Sequence, residues 1–182
     1  MDTPEVLTLN GREYAVLRLL GRGKGGYTWL VQRDGARYAL KQIHHEPCEY
    51  YQFGDKLAAE LGDYERLSAL GVPLPRLLDV DRAGELLLKE LLPGETVYQL
   101  VLRGAVEPWH WAQVRALSQA MRGAGLNLDW FPTNFIGREG TLYYVDYECN
   151  PYMDQWSFES WGVRYWSRTP EFDAYAKEHG DS

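Results

Sequence analysis

Asp129 and Asn134 stand five residues apart in the run "LDWFPTNF" (residues 128–135), and Asp146 follows in "YYVDYE". Two carboxylates and a carboxamide are hard oxygen donors, a set that can hold Mg²⁺ with the help of substrate phosphates. Each also has a plainer use: Asn134 suits a turn cap and Asp146 an ordinary surface. Pro132 keeps the run out of a helix interior, so the polar pair sits in a stiff, aromatic-flanked loop. Upstream, Lys41 ends the stretch "YALK" beside Ala39, Leu40 and Ile43. An ammonium on a half-buried strand needs an anionic partner. Glu60, next to the stripe Leu57, Leu61 and Tyr64, is the first choice, and Glu65 is the second. Gly21, Gly23 and Gly26 fit G-x-G-x-x-G but lead into "YTWLV", which is strand-like. A dinucleotide fingerprint needs those glycines to open a helix. The context favours a glycine flap between antiparallel strands. It is either a plain tight hairpin or one whose backbone N–H groups approach phosphates, because no Cβ intervenes.

The elements that must hold these residues follow from periodicity and turn chemistry. Residues 12–21, 27–32 and 37–43 are apolar, β-branched or aromatic runs, and Asp34-Gly35 between the last two is a strong hairpin signal. Residues 54–69 carry apolar side chains at helical spacing and stop at Gly71 and "VPLP". "RLLDVDRAGELLLKELL" gives two strands around a turn. The N-terminal part is therefore three strands, a helix and two strands: an antiparallel five-stranded sheet with one helix. "PGETVYQLVLRGAVEP" is a loop with room for a short helix. "PWHWAQVRALSQAMRGAG" is a helix opened by Pro108 and ended by glycine. "FIGREGTLYYVDYE" is strand, turn, strand, with Asp146 at a strand end. The tail is aromatic and mostly irregular. Trp156, Trp161, Tyr165 and Trp166 in it are read as packing side chains.

Bulk properties narrow the function classes. The chain has 182 residues, 45% hydrophobic and 25% charged, with net charge −7 and no basic stripe. That describes a globular protein rather than a disordered one, and it leaves nucleic acid without an electrostatic footprint. No apolar run reaches the length of a membrane span, and the acidic N-terminus lacks the apolar core of a signal peptide. Cys48 and Cys149 form no CxxC pair and read as reduced thiols, which points to the cytoplasm. His44, His45, His110 and His179 show no zinc spacing.

The order of these features resembles the protein-kinase-like superfamily, in the style of minimal Rio-type and aminoglycoside-phosphotransferase-type kinases. "GRGKGGYTWLV" is similar to the glycine loop over ATP phosphates, and "YALK" to the lysine strand. "NLDWFPTNF" is similar to the catalytic loop, "VDYE" to the metal-binding motif after it, and "ALGVPLP" to the entry of the strand beyond the helix. The similarity spans about residues 12–150. It implies an α+β, two-lobe fold: an N-lobe over residues 1–92 and a reduced helical C-lobe over 93–182. It implies transfer of the γ-phosphate of ATP to a hydroxyl, on a protein Ser/Thr, on the protein itself or on a small molecule. Gly21, Gly23 and Gly26 would cover the phosphates, and Lys41, paired with Glu60, would contact them. Asp129 would orient and deprotonate the acceptor, while Asn134 and Asp146 would bind Mg²⁺. The stretch "KELLPGE", with Glu90 and Leu92, would be the hinge that meets the adenine. Asn127 and Leu128 stand where histidine and arginine are usual, and no long activation segment follows Asp146. These departures motivate an alternative, a nucleotide-binding pseudokinase that acts as an interaction module.

Overall fold

The computed structural model describes residues 4–46 and 54–180, and Cys48 lies outside them. The architecture is α+β, and the chain divides into two compact units. The first takes residues 1–62 and 75–91, and the second takes 63–74 and 92–182. The first unit is thus discontinuous rather than the single span 1–92, because residues 63–74 pack with the second.

In the first unit, β1 (Val6–Leu9), β2 (Arg12–Arg22), β3 (Gly26–Arg33) and β4 (Ala36–Ile43) precede helix α1 (Lys56–Ala69), whose residues from Asp63 onward belong to the second unit. Strands β5 (Leu77–Asp81) and β6 (Leu86–Glu90) follow. All six strands join one antiparallel sheet in the order β1-β2-β3-β4-β6-β5. This corrects the expected five strands. The extra strand is β1, joined to β2 through Asn10 and Gly11, which both take positive φ (49° and 75°). That is the backbone of a type I′ hairpin turn, and Asn-Gly is its preferred dipeptide. Asp34 and Gly35 turn β3 into β4 in the same way, with φ of 51° and 79°.

Strand alternation sorts the side chains of this sheet. Leu40, Leu86 and Leu88 join Leu9, Tyr14, Tyr27, Trp29 and Val31 in one buried cluster. Ile43 and Leu87 turn the other way and pack with Leu57 of α1. On β4 the period of two puts Lys41 on the same side as Ile43. On β6 it puts Lys89 on the same side as Leu87. The cross-strand pairs Lys41↔Leu87 and Ala39↔Lys89 then make the two lysines diagonal neighbours on that face.

Gly26 is required by packing. A Cβ placed there would lie 2.4 Å from the Gln42 carbonyl oxygen, whereas Cβ atoms at Gly21 and Gly23 would meet nothing within 4 Å. Gly26→Ala must push β3 off β4, at a cost of about 1–3 kcal/mol by analogy with overpacked cores. Gly21→Ala and Gly23→Ala are expected to leave stability nearly unchanged. Urea denaturation of the three variants tests the contrast.

The second unit contains α2 (Val97–Leu102), α3 (Pro108–Gly123), β7 (Leu126–Leu128), β8 (Phe135–Arg138), β9 (Thr141–Tyr144), β10 (Cys149–Pro151) and α4 (Pro170–His179). Helix α2 is fixed by a capping box: Gln99 N donates to Thr96 Oγ1, and Thr96 N donates to Gln99 Oε1. Thr169 caps α4 by accepting from Phe172 N. Strands β8 and β9 form the expected hairpin through Glu139 and Gly140, while β7 pairs with β10. The core is aromatic. Trp130 stacks on Phe135 at 6.0 Å, and Trp166 and Phe158 close around them. Trp166 Nε1 donates to the Trp130 carbonyl at 2.9 Å. Trp161 and Tyr165 are half-buried, in keeping with a packing role, whereas Trp156 is 50% exposed and packs only edge-on against Trp161, with ring centroids 6.0 Å apart. Among the described residues, no helix is long and apolar enough to cross a membrane.

Candidate functional site

Two groups of chemically capable side chains stand out, one in each unit. In the first unit, Lys41 Nζ meets Glu60 Oε2 at 2.7 Å, with side chains 12% and 9% exposed. Glu60 sits one turn after Leu57 on the α1 face that packs on the sheet, which is why it, and not the exposed Glu65 of the second unit, receives the lysine. The other carboxylate oxygen, Glu60 Oε1, accepts from Lys89 Nζ at 3.2 Å. One buried carboxylate therefore serves two ammonium groups. Sequence reasoning missed Lys89. Its signal is the β6 alternation, but using it requires the β4/β6 register.

The glycine turn lies beside this pair. A Cβ on Gly25 would stand 3.9 Å from Lys41 Nζ, so the turn backbone approaches the ammonium closely. Of the glycines singled out in the sequence, Gly21 and Gly23 have open space around them and Gly26 is held by its strand partner. Gly25 was not singled out, yet it is the one near Lys41. Lys56, only 4% exposed, donates to the Lys24 carbonyl at 3.3 Å and the His44 carbonyl at 2.7 Å. Glu90 lies at the end of the first unit. Its N–H donates to the Arg76 carbonyl at 2.8 Å, and its carboxylate accepts from Arg76 Nε at 3.1 Å. Leu92 is buried and belongs to the second unit.

In the second unit, β7 ends at Leu128 and delivers Asp129 to a short closed loop. Asp129 Oδ1 accepts from Phe131 N at 3.1 Å, and Asn134 Nδ2 donates back to the Asp129 carbonyl at 3.3 Å. Residues Pro132–Asn134 form a single 3₁₀ turn, and Val145 N donates to the Asn134 carbonyl at 2.9 Å. Trp130 and Pro132 are buried beneath, while Asp129 is exposed. The loop is thus stiffened by its own polar side chains and anchored by its apolar ones.

The Tyr144 hydroxyl ties the loop to the segment carrying Asp146. It accepts from Asp129 N at 3.3 Å and donates to the Glu148 carbonyl at 2.8 Å. Burial pushes this phenol well above the usual tyrosine range, and the negative charges of Asp146 and Asp129 push it further. Both carboxylates therefore act on one buried hydroxyl. Tyr175 is raised as well, first by burial and then by Asp129. Asp146 itself accepts from Tyr147 N through Oδ1 at 2.8 Å and lies two residues beyond the end of β9.

The donor chemistry of Asn134 and Asp146 suits a hard cation. Asn134 uses Nδ2 on the Asp129 carbonyl, which leaves Oδ1 as its acceptor, and Asp146 supplies a carboxylate. No group of three or more His, Cys, Asp or Glu is placed to hold a metal among the described residues. Mg²⁺ fits a smaller protein donor set, because it keeps waters and takes phosphate oxygens. Asn127 has a different use: Asn127 Nδ2 donates to the Met153 carbonyl at 2.8 Å and is buried. The shallow depression lined by Arg66, Ala69, Leu70, Ala124 and Leu126 contains none of these residues.

Cys149 belongs to the framework of the second unit. Asp63 accepts from Cys149 N at 3.1 Å and from its thiol at 3.3 Å. Burial, then Asp63, pushes the thiol up to about 12. A raised thiol pKa favours folding below the unfolded value of about 8.5, and this contribution fades as pH climbs through the folded value. In a Cys48→Ser background, alkylation of native protein by iodoacetamide is expected to stay slow at pH 8–9, and to become fast once urea unfolds the chain.

No protein-family model matches the chain, and no curated protein matches it with significance.

Proposed function

We propose that the protein is an ATP- and Mg²⁺-dependent phosphotransferase of the protein-kinase-like fold, acting in the cytoplasm on a hydroxyl acceptor. The observation that carries this reading is the Lys41–Glu60 pair of 2.7 Å next to a glycine turn. A buried lysine held on a carboxylate beside open backbone is suited to receiving phosphate oxygens. The Asp129 loop supports the same reading, because in the other unit Asp129 and Asp146 both act on Tyr144, and Asn134 donates to the Asp129 carbonyl.

Each residue then has a defined task. Lys41 binds the α- and β-phosphates, Glu60 orients Lys41, and the glycine turn meets the phosphates through its N–H groups. Asp129 accepts the proton of the attacking hydroxyl. Asn134 and Asp146 hold Mg²⁺, which when bound neutralises the phosphate charge. Glu90 and Leu92 flank the adenine, with the backbone of residues 89–95 as the contact. The gain comes from positioning and charge placement rather than from a covalent intermediate. The acceptor is a Ser/Thr hydroxyl of a protein or of the protein itself, or a small molecule; neither a membrane nor a nucleic acid is involved.

The test is transfer of labelled γ-phosphate from Mg²⁺-ATP, including autophosphorylation. Transfer by the wild type and its loss in Lys41→Ala and Asp129→Ala are expected. Transfer unaffected by both substitutions sinks the assignment. Thermal stabilisation by Mg²⁺-ATP with no turnover moves the protein to the pseudokinase class, a reading favoured by the structural use of Asn127 where a catalytic-loop histidine is usual.

A further inference from the structure

We propose that Lys56 and His44 are positioning residues that set the glycine turn for phosphate binding, an inference that rests on the phosphotransferase reading above. Three successive carbonyls of the turn are held by just two residues, His44 and Lys56. His44 Nε2 donates to the Gly23 carbonyl at 3.1 Å. Lys56 Nζ donates to the Lys24 carbonyl at 3.3 Å. The His44 N–H donates to the Gly25 carbonyl at 3.3 Å. Lys56 also holds the His44 carbonyl at 2.7 Å, so its ammonium joins the end of β4, the start of α1 and the turn.

The planar trans peptide converts this into a direction. The carbonyl of one residue and the N–H of the next point oppositely across each peptide plane. With the Gly23 and Lys24 carbonyls drawn toward His44 and Lys56, the N–H groups of Lys24 and Gly25 face the other way. Successive N–H groups turned to one side form an anion-binding concavity. Gly25 also lies beside Lys41, since a Cβ on it would stand 3.9 Å from Lys41 Nζ. The glycines give the turn its freedom, and Lys56 and His44 remove that freedom in one chosen orientation. His44 plays its part as the Nε2–H tautomer, since its Nδ1 accepts from Glu46 N at 3.3 Å.

The test compares binding of Mg²⁺-ATP and of adenosine by calorimetry in Lys56→Met, Lys56→Arg, His44→Ala and His44→Gln. Weakening of Mg²⁺-ATP by about tenfold in Lys56→Met and His44→Ala is expected, the scale of one charge-assisted hydrogen bond. Adenosine affinity should stay within about twofold, because it has no phosphate to meet the turn. Lys56→Arg and His44→Gln, which keep a donor, should recover part of the loss. In turnover the defect should fall on KM for ATP and spare kcat. A merely structural role weakens ATP and adenosine together, and that outcome overturns the inference. So does unchanged ATP affinity in both variants while the wild type binds ATP. Because Lys56 is buried, His44→Ala, at a half-buried site, serves where Lys56→Met does not fold. A wild type that binds no Mg²⁺-ATP refutes the phosphotransferase reading itself, and this inference with it.

Discussion

Asp129→Asn is expected to lower the rate of phosphoryl transfer by about 10²- to 10⁴-fold, the usual contribution of a positioned general base, while Mg²⁺-ATP affinity changes only a few-fold. The substitution is chosen for its geometry. Asp129 holds its loop by accepting from Phe131 N through Oδ1, and an asparagine oxygen can do the same. The loop is then kept and only the charge is lost. A second readout checks that the charge itself has gone. Tyr144 and Tyr175 are both raised in part by Asp129, so the Tyr175 phenol, the less buried of the two, should titrate lower in Asp129→Asn. A variant with the shifted tyrosine and an unchanged rate removes Asp129 from the chemistry.

Glu60→Gln is expected to be the most destabilising single change in the first unit, by about 3–5 kcal/mol, the cost of leaving buried charge uncompensated. Glu60 is the shared counter-ion of Lys41 at 2.7 Å and Lys89 at 3.2 Å. Its removal disturbs two ammonium groups at once. Lys89→Met is a milder change, because Glu60 keeps Lys41. The double variant Glu60→Gln/Lys89→Met should recover part of the Glu60→Gln loss, since one buried cation has gone with the anion. Urea unfolding of wild type, both singles and the double gives the coupling directly. A Glu60→Gln cost under about 1 kcal/mol contradicts a buried shared ion pair, because that is the range of exposed pairs.

Much of this framework was legible from local rules. The Asp34-Gly35 hairpin, α1, the β5/β6 pair, α3 and the β8/β9 hairpin all follow from period and turn residues. The Lys41–Glu60 pairing followed from two local facts, a lysine amid apolar strand residues and a glutamate beside a helical stripe. Strand β1 was legible too but went unread: Asn10-Gly11 is as strong a hairpin signal as Asp34-Gly35. Strands β7 and β10 were not, because three residues give no usable period and their pairing is long-range. The roles of Lys89, Lys56 and His44 depend on register and on contacts distant in sequence. A lysine in "LLLKELL" looks the same whether it meets solvent or Glu60. Likewise, Trp156 and Trp166 are alike in composition, yet one is exposed and the other buried.

The measurement that bears most directly on the phosphotransferase reading requires no knowledge of the acceptor: calorimetric titration of the protein with ATP, with and without Mg²⁺, in wild type and Lys41→Met. Saturable binding by the wild type, tighter with Mg²⁺ and lost or strongly weakened in Lys41→Met, is the expected result. No binding of ATP by the folded wild type under either condition, or equal binding by wild type and Lys41→Met, contradicts it.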